Sequence, residues 1–225
     1  GLAPYVKGKP IVRDTARNAD VFWDERPVVG PKPVEPVNAP EPPKAEPRKT
    51  RGMQASIGGG RSLAIQDLRD AGITGKKANV ILNSVSHYTG FGYRLMNKQI
   101  RNGNTNSKYK GRIDAITKYL SVAPKFDGTV YRGLALTPDQ ASKLKVGGSF
   151  VDKAFMSTSA GKKQLGYFAT GDSKNYMVKI TIAPPPTDDG VAIGHLSGSP
   201  EELEVLHPMG TRLIIKAIKT TGRTI

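Results

Sequence analysis

The 225-residue chain has no cysteine. That excludes disulfides and thiolate metal sites. Histidine is nearly as scarce: His87, His195 and His207 are scattered and match no zinc motif, so no metal is expected. His207 reads as a strand-end residue rather than a ligand. No run of about 18 apolar residues occurs, so no membrane-spanning helix is expected. Gly1 opens the chain without an apolar leader after it, so no secretory signal is expected in these residues, as in a piece processed from a longer protein. Tryptophan occurs once, at Trp23, and the hydrophobic share is a modest 37% because a proline-rich stretch dilutes it.

Acidic residues are sparse in one segment. The net charge is +15, and residues 51–125 carry thirteen Lys/Arg against three Asp/Glu. Residues 1–50 and 126–225 are close to balance, at +2 and +3. The basic segment suits a solvated face, a nucleic acid, an acidic protein or the pyrophosphate of a dinucleotide.

Eight prolines stand between Pro27 and Pro47, which forbids a helix or a central strand there. Residues 1–60 therefore read as an N-terminal tail and semi-rigid linker, mostly extended. Within them, Val21-Phe22-Trp23 is an apolar cluster suited to docking on a partner or on the folded domain. Residues 61–225 read as one domain, with a helical lobe at about 61–125 and a β core at about 126–219. Apolar spacing predicts helices over 61–72, 77–88 and 111–121, and another carrying Tyr93, Met96, Asn97 and Ile100. Gly72 is a helix stop, and Gly90 and Gly92 break the chain between the second and third helices. A capping box, Thr137-Pro138-Asp139-Gln140, starts a short helix, and another is expected at about 161–169.

The strand period begins at Thr129. Strands are expected at 129–134, 149–151, 154–158, 175–183, 191–194, 202–207 and 211–219, the last two forming a hairpin over Pro208-Met209-Gly210. Helices first and strands afterwards indicate an α+β fold.

Three strand positions carry candidate chemistry. Arg132, in Val130-Tyr131-Arg132-Gly133-Leu134, is a fixed bidentate donor for a phosphate or carboxylate, or one half of a structural ion pair. Ser157-Thr158-Ser159 ends a strand in three hydroxyls. Glu202 and Glu204, two apart on a strand, are expected to share a face, as a solvated acidic edge or as a built carboxylate pair.

An arginine, a serine after an aromatic and a Glu-x-Glu, in this order, resemble the arginine-serine-glutamate class of mono-ADP-ribosyltransferases. That class includes clostridial binary-toxin enzymatic components, injected bacterial effectors and T-even-phage-type enzymes. The likeness covers roughly residues 60–219 and implies helices packed on a mostly antiparallel two-sheet β core. It implies cleavage of NAD, as co-substrate, and transfer of ADP-ribose to an arginine of a host protein. By this resemblance Arg132 grips the NAD phosphates, Ser157 fixes the carboxylate of Glu204, and Glu204 stabilises the ribosyl cation. Glu202 orients the incoming guanidinium and takes its proton. Phe168 packs on the nicotinamide. Tyr88, Tyr93 and Asn97 line the NAD pocket in the toxin pattern Tyr-x4-Tyr-x3-Asn, and Gly133, Thr158 and Ser159 complete it. Gly133, Ala154 and Gly171 depart from the family, standing where an arginine, an asparagine and an arginine are common; Leu196–Pro200 lacks a target-recognising aromatic. Action in a host cytoplasm after injection or secretion, with possible carriage in a virion, is the implied setting. Two alternatives stand beside it: a non-catalytic, nucleic-acid-binding phage structural protein, and an NAD glycohydrolase using water at the same site.

Overall fold

The computed structural model describes residues 22–23, 50–104, 108–164, 176–182 and 189–219. Two short strands come first, β1 (Phe22–Trp23) and β2 (Thr50–Arg51). Four helices follow: α1 (Met53–Asp70), α2 (Gly75–His87), α3 (Tyr93–Arg101) and α4 (Lys110–Val122). Then come β3 (Lys125–Phe126), β4 (Val130–Leu136), α5 (Pro138–Ser142), β5 (Ser149–Asp152), β6 (Met156–Ser159), β7 (Tyr176–Ile182), β8 (Val191–Ala192), β9 (Glu204–His207) and β10 (Thr211–Ile214). The architecture is α+β, as the order of the sequence patterns implies.

Local chemistry explains the boundaries. α1 stops at Gly72, whose φ of 73° is open to glycine, and Gly72 N and Ile73 N donate back to the carbonyls of Arg69 and Leu68. The capping box closes in both directions: Gln140 N donates to Thr137 Oγ1, and Thr137 N donates to Gln140 Oε1. Between α2 and α3 the chain makes a π-turn at Tyr88–Gly92, kinked at Gly90. Gly92 is required there, because a Cβ would stand 2.8 Å from the carbonyl oxygen of His87. This turn aims Tyr88 inward.

Five strands form one antiparallel sheet in the order β7-β4-β6-β9-β8. A second sheet runs β1-β5-β10, and β2 pairs parallel with β3. One core fills the helical lobe and reaches the sheet through Phe155 and Leu206. The other lies on the strands, with Val130, Leu134, Phe150, Met156, Val178 and Val205. Phe155 stacks edge-on against Tyr88, centroids 5.6 Å apart, so the entrance to β6 is packed on the helix pair.

Three expectations change. The expected hairpin does not form: β9 pairs with β6 and β8, whereas β10 crosses to β5. The turn Pro208–Gly210 carries the chain between sheets, with Gly210 N donating to the carbonyl of Asp152. The folded part begins before residue 61, because α1 starts at Met53 and Arg51 is bonded to Asp67. The backbone of β1 pairs antiparallel with β5, Phe22 opposite Val151 and Trp23 opposite Phe150. In the region expected as a helix at 161–169, Lys162–Gln164 forms a 3₁₀ turn and residues 165–169 lie outside the described residues.

Candidate active site

β6 and β9 are neighbours, with Ser157 opposite Leu206 and Ser159 opposite Glu204. Side chains alternate along β6, so Ser157 and Ser159 share one face and Thr158 the other. Ser157 Oγ donates to Glu204 Oε1 at 2.5 Å, a diagonal contact across the strand pair. A hydroxyl on a carboxylate is a short charge-assisted bond, which holds the carboxylate in one rotamer. Glu204 is 4% exposed and Ser157 is half-buried.

The other two hydroxyls act elsewhere. Thr158 Oγ1 donates to the carbonyl of Val205 at 2.9 Å and lies 3.0 Å from His207 Nε2. The hydroxyl has one proton, so His207 Nε2–H is the donor in that second bond. His207 is buried and structural. Ser159 Oγ donates to the carbonyl of Glu202 at 2.7 Å and accepts from Gly161 N at 2.9 Å. It grips the turn that precedes β9.

That turn corrects the expected geometry of Glu202. The strand begins at Glu204, not at 202. Pro200–Glu202 is a 3₁₀ turn, and Leu203 takes a left-handed conformation, φ 50° and ψ 45°. Such a backbone is costly for a branched side chain unless the surroundings hold it. Here Leu203 N donates to the carbonyl of Pro200, and its own carbonyl accepts from Ala160 N. Strand alternation therefore does not put Glu202 beside Glu204. Glu202 is half-buried at the turn, two residues before the strand begins.

Arg132 lies on β4 beside buried Gly133 and is 7% exposed. Its Nη1 donates to the carbonyl of Ser157 at 3.0 Å, and its Nη2 to Asp152 Oδ2 at 3.0 Å. Burial pulls its guanidinium below the ordinary value, and Asp152 opposes that pull. Two of its five N–H groups are thus engaged within the protein.

Two members of this cluster escaped the sequence. Asp152 closes β5 with no exposure, and Arg101 ends α3 almost fully buried. Arg101 Nη2 donates to Asp152 Oδ2 at 3.1 Å. The signal for Arg101 was its place one helical turn beyond Asn97, on the same face. Asp152 had no sequence signal, since a lone aspartate at a strand end is ordinary.

From sequence, the amide of Asn97 is expected to find its partners in a bound dinucleotide. The structure supplies two from the protein: Asn97 Nδ2 donates to Tyr88 Oη at 3.0 Å and to the carbonyl of Phe155 at 3.3 Å. Asn97 Oδ1 is buried and accepts no bond, the kind of acceptor that a polar ligand satisfies. Tyr88 is fully buried, and burial, with the charge of Glu204 added, pushes its phenol above the ordinary range. Its Oη donates to the carbonyl of Phe155 at 3.5 Å. Tyr93 is half-buried, packs edge-on against Tyr88 at 6.3 Å and accepts from Arg94 Nε. Phe168 and Gly171 lie outside the described residues.

No group of three or more metal-ligating side chains occurs among the described residues, and no described helix is long and apolar enough to cross a membrane. The structure thus joins Arg132, Ser157 and Glu204, sets Tyr88 and Asn97 against the start of β6, and leaves Glu202 on the adjoining turn.

Known proteins resemble this chain in sequence or in fold. The protein Mav of Mycobacterium avium (strain 104), named as a candidate NAD(+)–arginine ADP-ribosyltransferase, is 30% identical over 148 residues. That match covers 64% of this chain and 17% of Mav. The NAD(+)–protein-arginine ADP-ribosyltransferase Tre1 of Serratia proteamaculans (strain 568) is 27% identical over 211 residues, 90% of this chain and 44% of Tre1. The chain therefore spans well under half of the one and less than half of the other. In fold, it is similar to the ADP-ribosyltransferase Vis of Vibrio splendidus. The structure of Vis with agmatine has a TM-score of 0.57 at 22% identity, covering 79% of this chain and 84% of Vis. Residues 77–224 match the model of one family, described as ADP-ribosyltransferase exoenzyme, and this chain belongs to it.

Proposed function

We propose that the chain is an NAD-dependent mono-ADP-ribosyltransferase domain that modifies an arginine on a protein. The observation that carries this is the bond from Ser157 Oγ to Glu204 Oε1, with Arg132 fixed on the carbonyl of the same serine. Breaking the nicotinamide–ribose bond leaves its electron pair on the nicotinamide nitrogen and a cationic ribosyl carbon. A carboxylate held rigid beside that carbon stabilises the developing charge without reorganising. Glu204 is the carboxylate, and Ser157 holds it. Arg132, fixed at both ends, offers its remaining N–H groups to the phosphates. Asn97 Oδ1 offers an acceptor to the same ligand. Glu202, on the turn gripped by Ser159, faces the acceptor. It orients the guanidinium and takes the proton released when a guanidinium nitrogen bonds the ribosyl carbon. Phe168 is assigned to the nicotinamide by resemblance alone.

Arginine in the names of Mav and Tre1, and the guanidinium compound agmatine bound to Vis, support a guanidinium acceptor. The relatives named above are bacterial, which supports action on a protein of a target cell rather than carriage in a virion. The nucleic-acid-binding alternative has no support beyond the net charge. Hydrolysis by water at the same site is the second reading, favoured wherever no acceptor is present.

The test is incubation with labelled NAD and a target-cell lysate. Label on protein is the expected result. Release of ADP-ribose alone supports the glycohydrolase, and neither product refutes both.

A further inference from the structure

We propose that Asp152 is the positioning residue of this site: it fixes Arg132 and, through Arg132, the Ser157–Glu204 pair. The proposal rests on the transferase reading above. Asp152 is outside the site sheet, at the end of β5, and its side chain is wholly buried. Its Oδ2 accepts from Arg132 Nη2 at 3.0 Å and from Arg101 Nη2 at 3.1 Å. Its Oδ1 accepts from Arg101 Nη2 at 3.1 Å, Arg101 Nε at 3.3 Å and Ala154 N at 3.1 Å. A carboxylate offers about four lone-pair sites, so this one is saturated and has a single orientation. Its backbone is pinned as well, by Gly210 N at 2.9 Å.

Arg132 carries that rigidity into the site. One end of its guanidinium is on Asp152 and the other is on the carbonyl of Ser157. The hydroxyl of Ser157 is on Glu204. These hydrogen bonds, joined through the covalent frame of Ser157, link β5, β4, β6 and β9. Charge reinforces this link. Arg101 and Arg132 are both buried cations that repel, and Asp152 is the anion between them. With that charge removed, the arginines separate and Arg132 leaves the Ser157 carbonyl. The reacting carboxylate then loses its fixed frame, and small misplacements are costly in catalysis.

A purely structural ion cluster would have a different signature, which a double-mutant cycle on nicotinamide release reads. The variants are Asp152→Asn, Arg132→Lys and the double, each checked for folding by circular dichroism. The expected loss of kcat for Asp152→Asn is about a hundredfold, with KM for NAD rising as well because Arg132 also holds the phosphates, and with the same kcat-against-KM split as Arg132→Lys. The double variant is expected to be no slower than Arg132→Lys alone, because both changes break one device. Losses that multiply, or a folded Asp152→Asn with kcat within about threefold of wild type, overturn the proposal. Should Asp152→Asn not fold, Asp152→Glu keeps the charge while displacing Arg132; a loss of about tenfold or more is expected, and unchanged kcat overturns the proposal. A wild-type domain that releases no nicotinamide overturns the transferase reading and this proposal with it. An active wild type with multiplying losses overturns this proposal alone.

Discussion

Two buried polar clusters join the helical lobe to the strands, and both are built on an arginine–aspartate contact. In one, Arg51 of β2 donates through two nitrogens to Asp67 of α1, at 2.5 and 2.8 Å. Tyr119 of α4 and His195 complete it, with Tyr119 Oη 3.3 Å from His195 Nε2. In the other, Arg101 and Arg132 share Asp152, and Glu204 is bonded to Ser157 on the next strand. The first cluster is balanced, one cation to one anion, and fastens β2, α1 and α4 to the 3₁₀ turn Gly194–Leu196 that carries His195. In the second, one aspartate serves two arginines, and a further carboxylate is fixed nearby by a serine. The same ion-pair chemistry makes a fastening when its charges close on each other, and a site when one carboxylate is held for something else.

This contrast can be broken at either cluster. The largest effect is expected for Glu204→Gln, which removes the charge that stabilises the ribosyl cation. Nicotinamide release and transfer should fall together, by about a hundredfold or more, with the melting temperature little changed. Glu202→Gln should lower transfer to protein by about a hundredfold while slow NAD hydrolysis survives, because water needs no oriented guanidinium. Paired assays of nicotinamide release and protein labelling check both. Equal loss of both activities in the two variants would remove the division of labour.

At the fastening, the prediction inverts. Asp67→Ala leaves Arg51 without its partner and should cost about 2 kcal/mol of stability, between the values for exposed and fully buried pairs. Its kcat for nicotinamide release should stay near wild type below the melting transition. His195 gives a smaller, pH-dependent effect. Burial and then Arg51 lower its pKa to about 4 in the folded chain, against 6.5 for the ordinary value. Between these values the unfolded chain binds a proton that the folded chain does not. Stability contributed by the neutral ring is therefore complete above about pH 6.5 and lost as pH falls towards about 4. His195→Gln should flatten that part of a stability-against-pH curve measured by denaturant. The smallest effect is expected from deleting residues 1–49, which removes the β1 contacts of Phe22 and Trp23 on β5. Two edge-strand residues contribute about 1 kcal/mol, so the shortened domain should stay soluble and active.

What the sequence made legible follows from range. Ser157 and Arg132 stand on strands that their own residues specify, and the capping box and Gly72 act through neighbours a few residues away. The order of helices and strands set the α+β class for the same reason. Glu202 was misplaced by turn chemistry: Pro200 opens a 3₁₀ turn and Leu203 adopts a left-handed backbone, so the strand period starts two residues late. β10 was misassigned because a turn between adjacent strands does not say which sheet receives the second one. Asp152 was invisible because its role exists only once β4, β5 and α3 have met. For Asn97 the sequence pointed to a dinucleotide, whereas Tyr88 and Phe155 supply two of its partners within the protein. The tail was read from its prolines, which say nothing of the short pairs that Phe22–Trp23 and Thr50–Arg51 make with distant strands.

The most direct test of the central claim uses the purified chain, NAD and agmatine, with wild type beside Glu204→Gln. Nicotinamide and ADP-ribosyl-agmatine are quantified by mass spectrometry. Wild type should form both, and Glu204→Gln about a hundredfold less of each while remaining folded. Product from Glu204→Gln at the wild-type rate, or none from a folded wild type, would contradict the assignment of the Ser157–Glu204 pair as the centre of the chemistry.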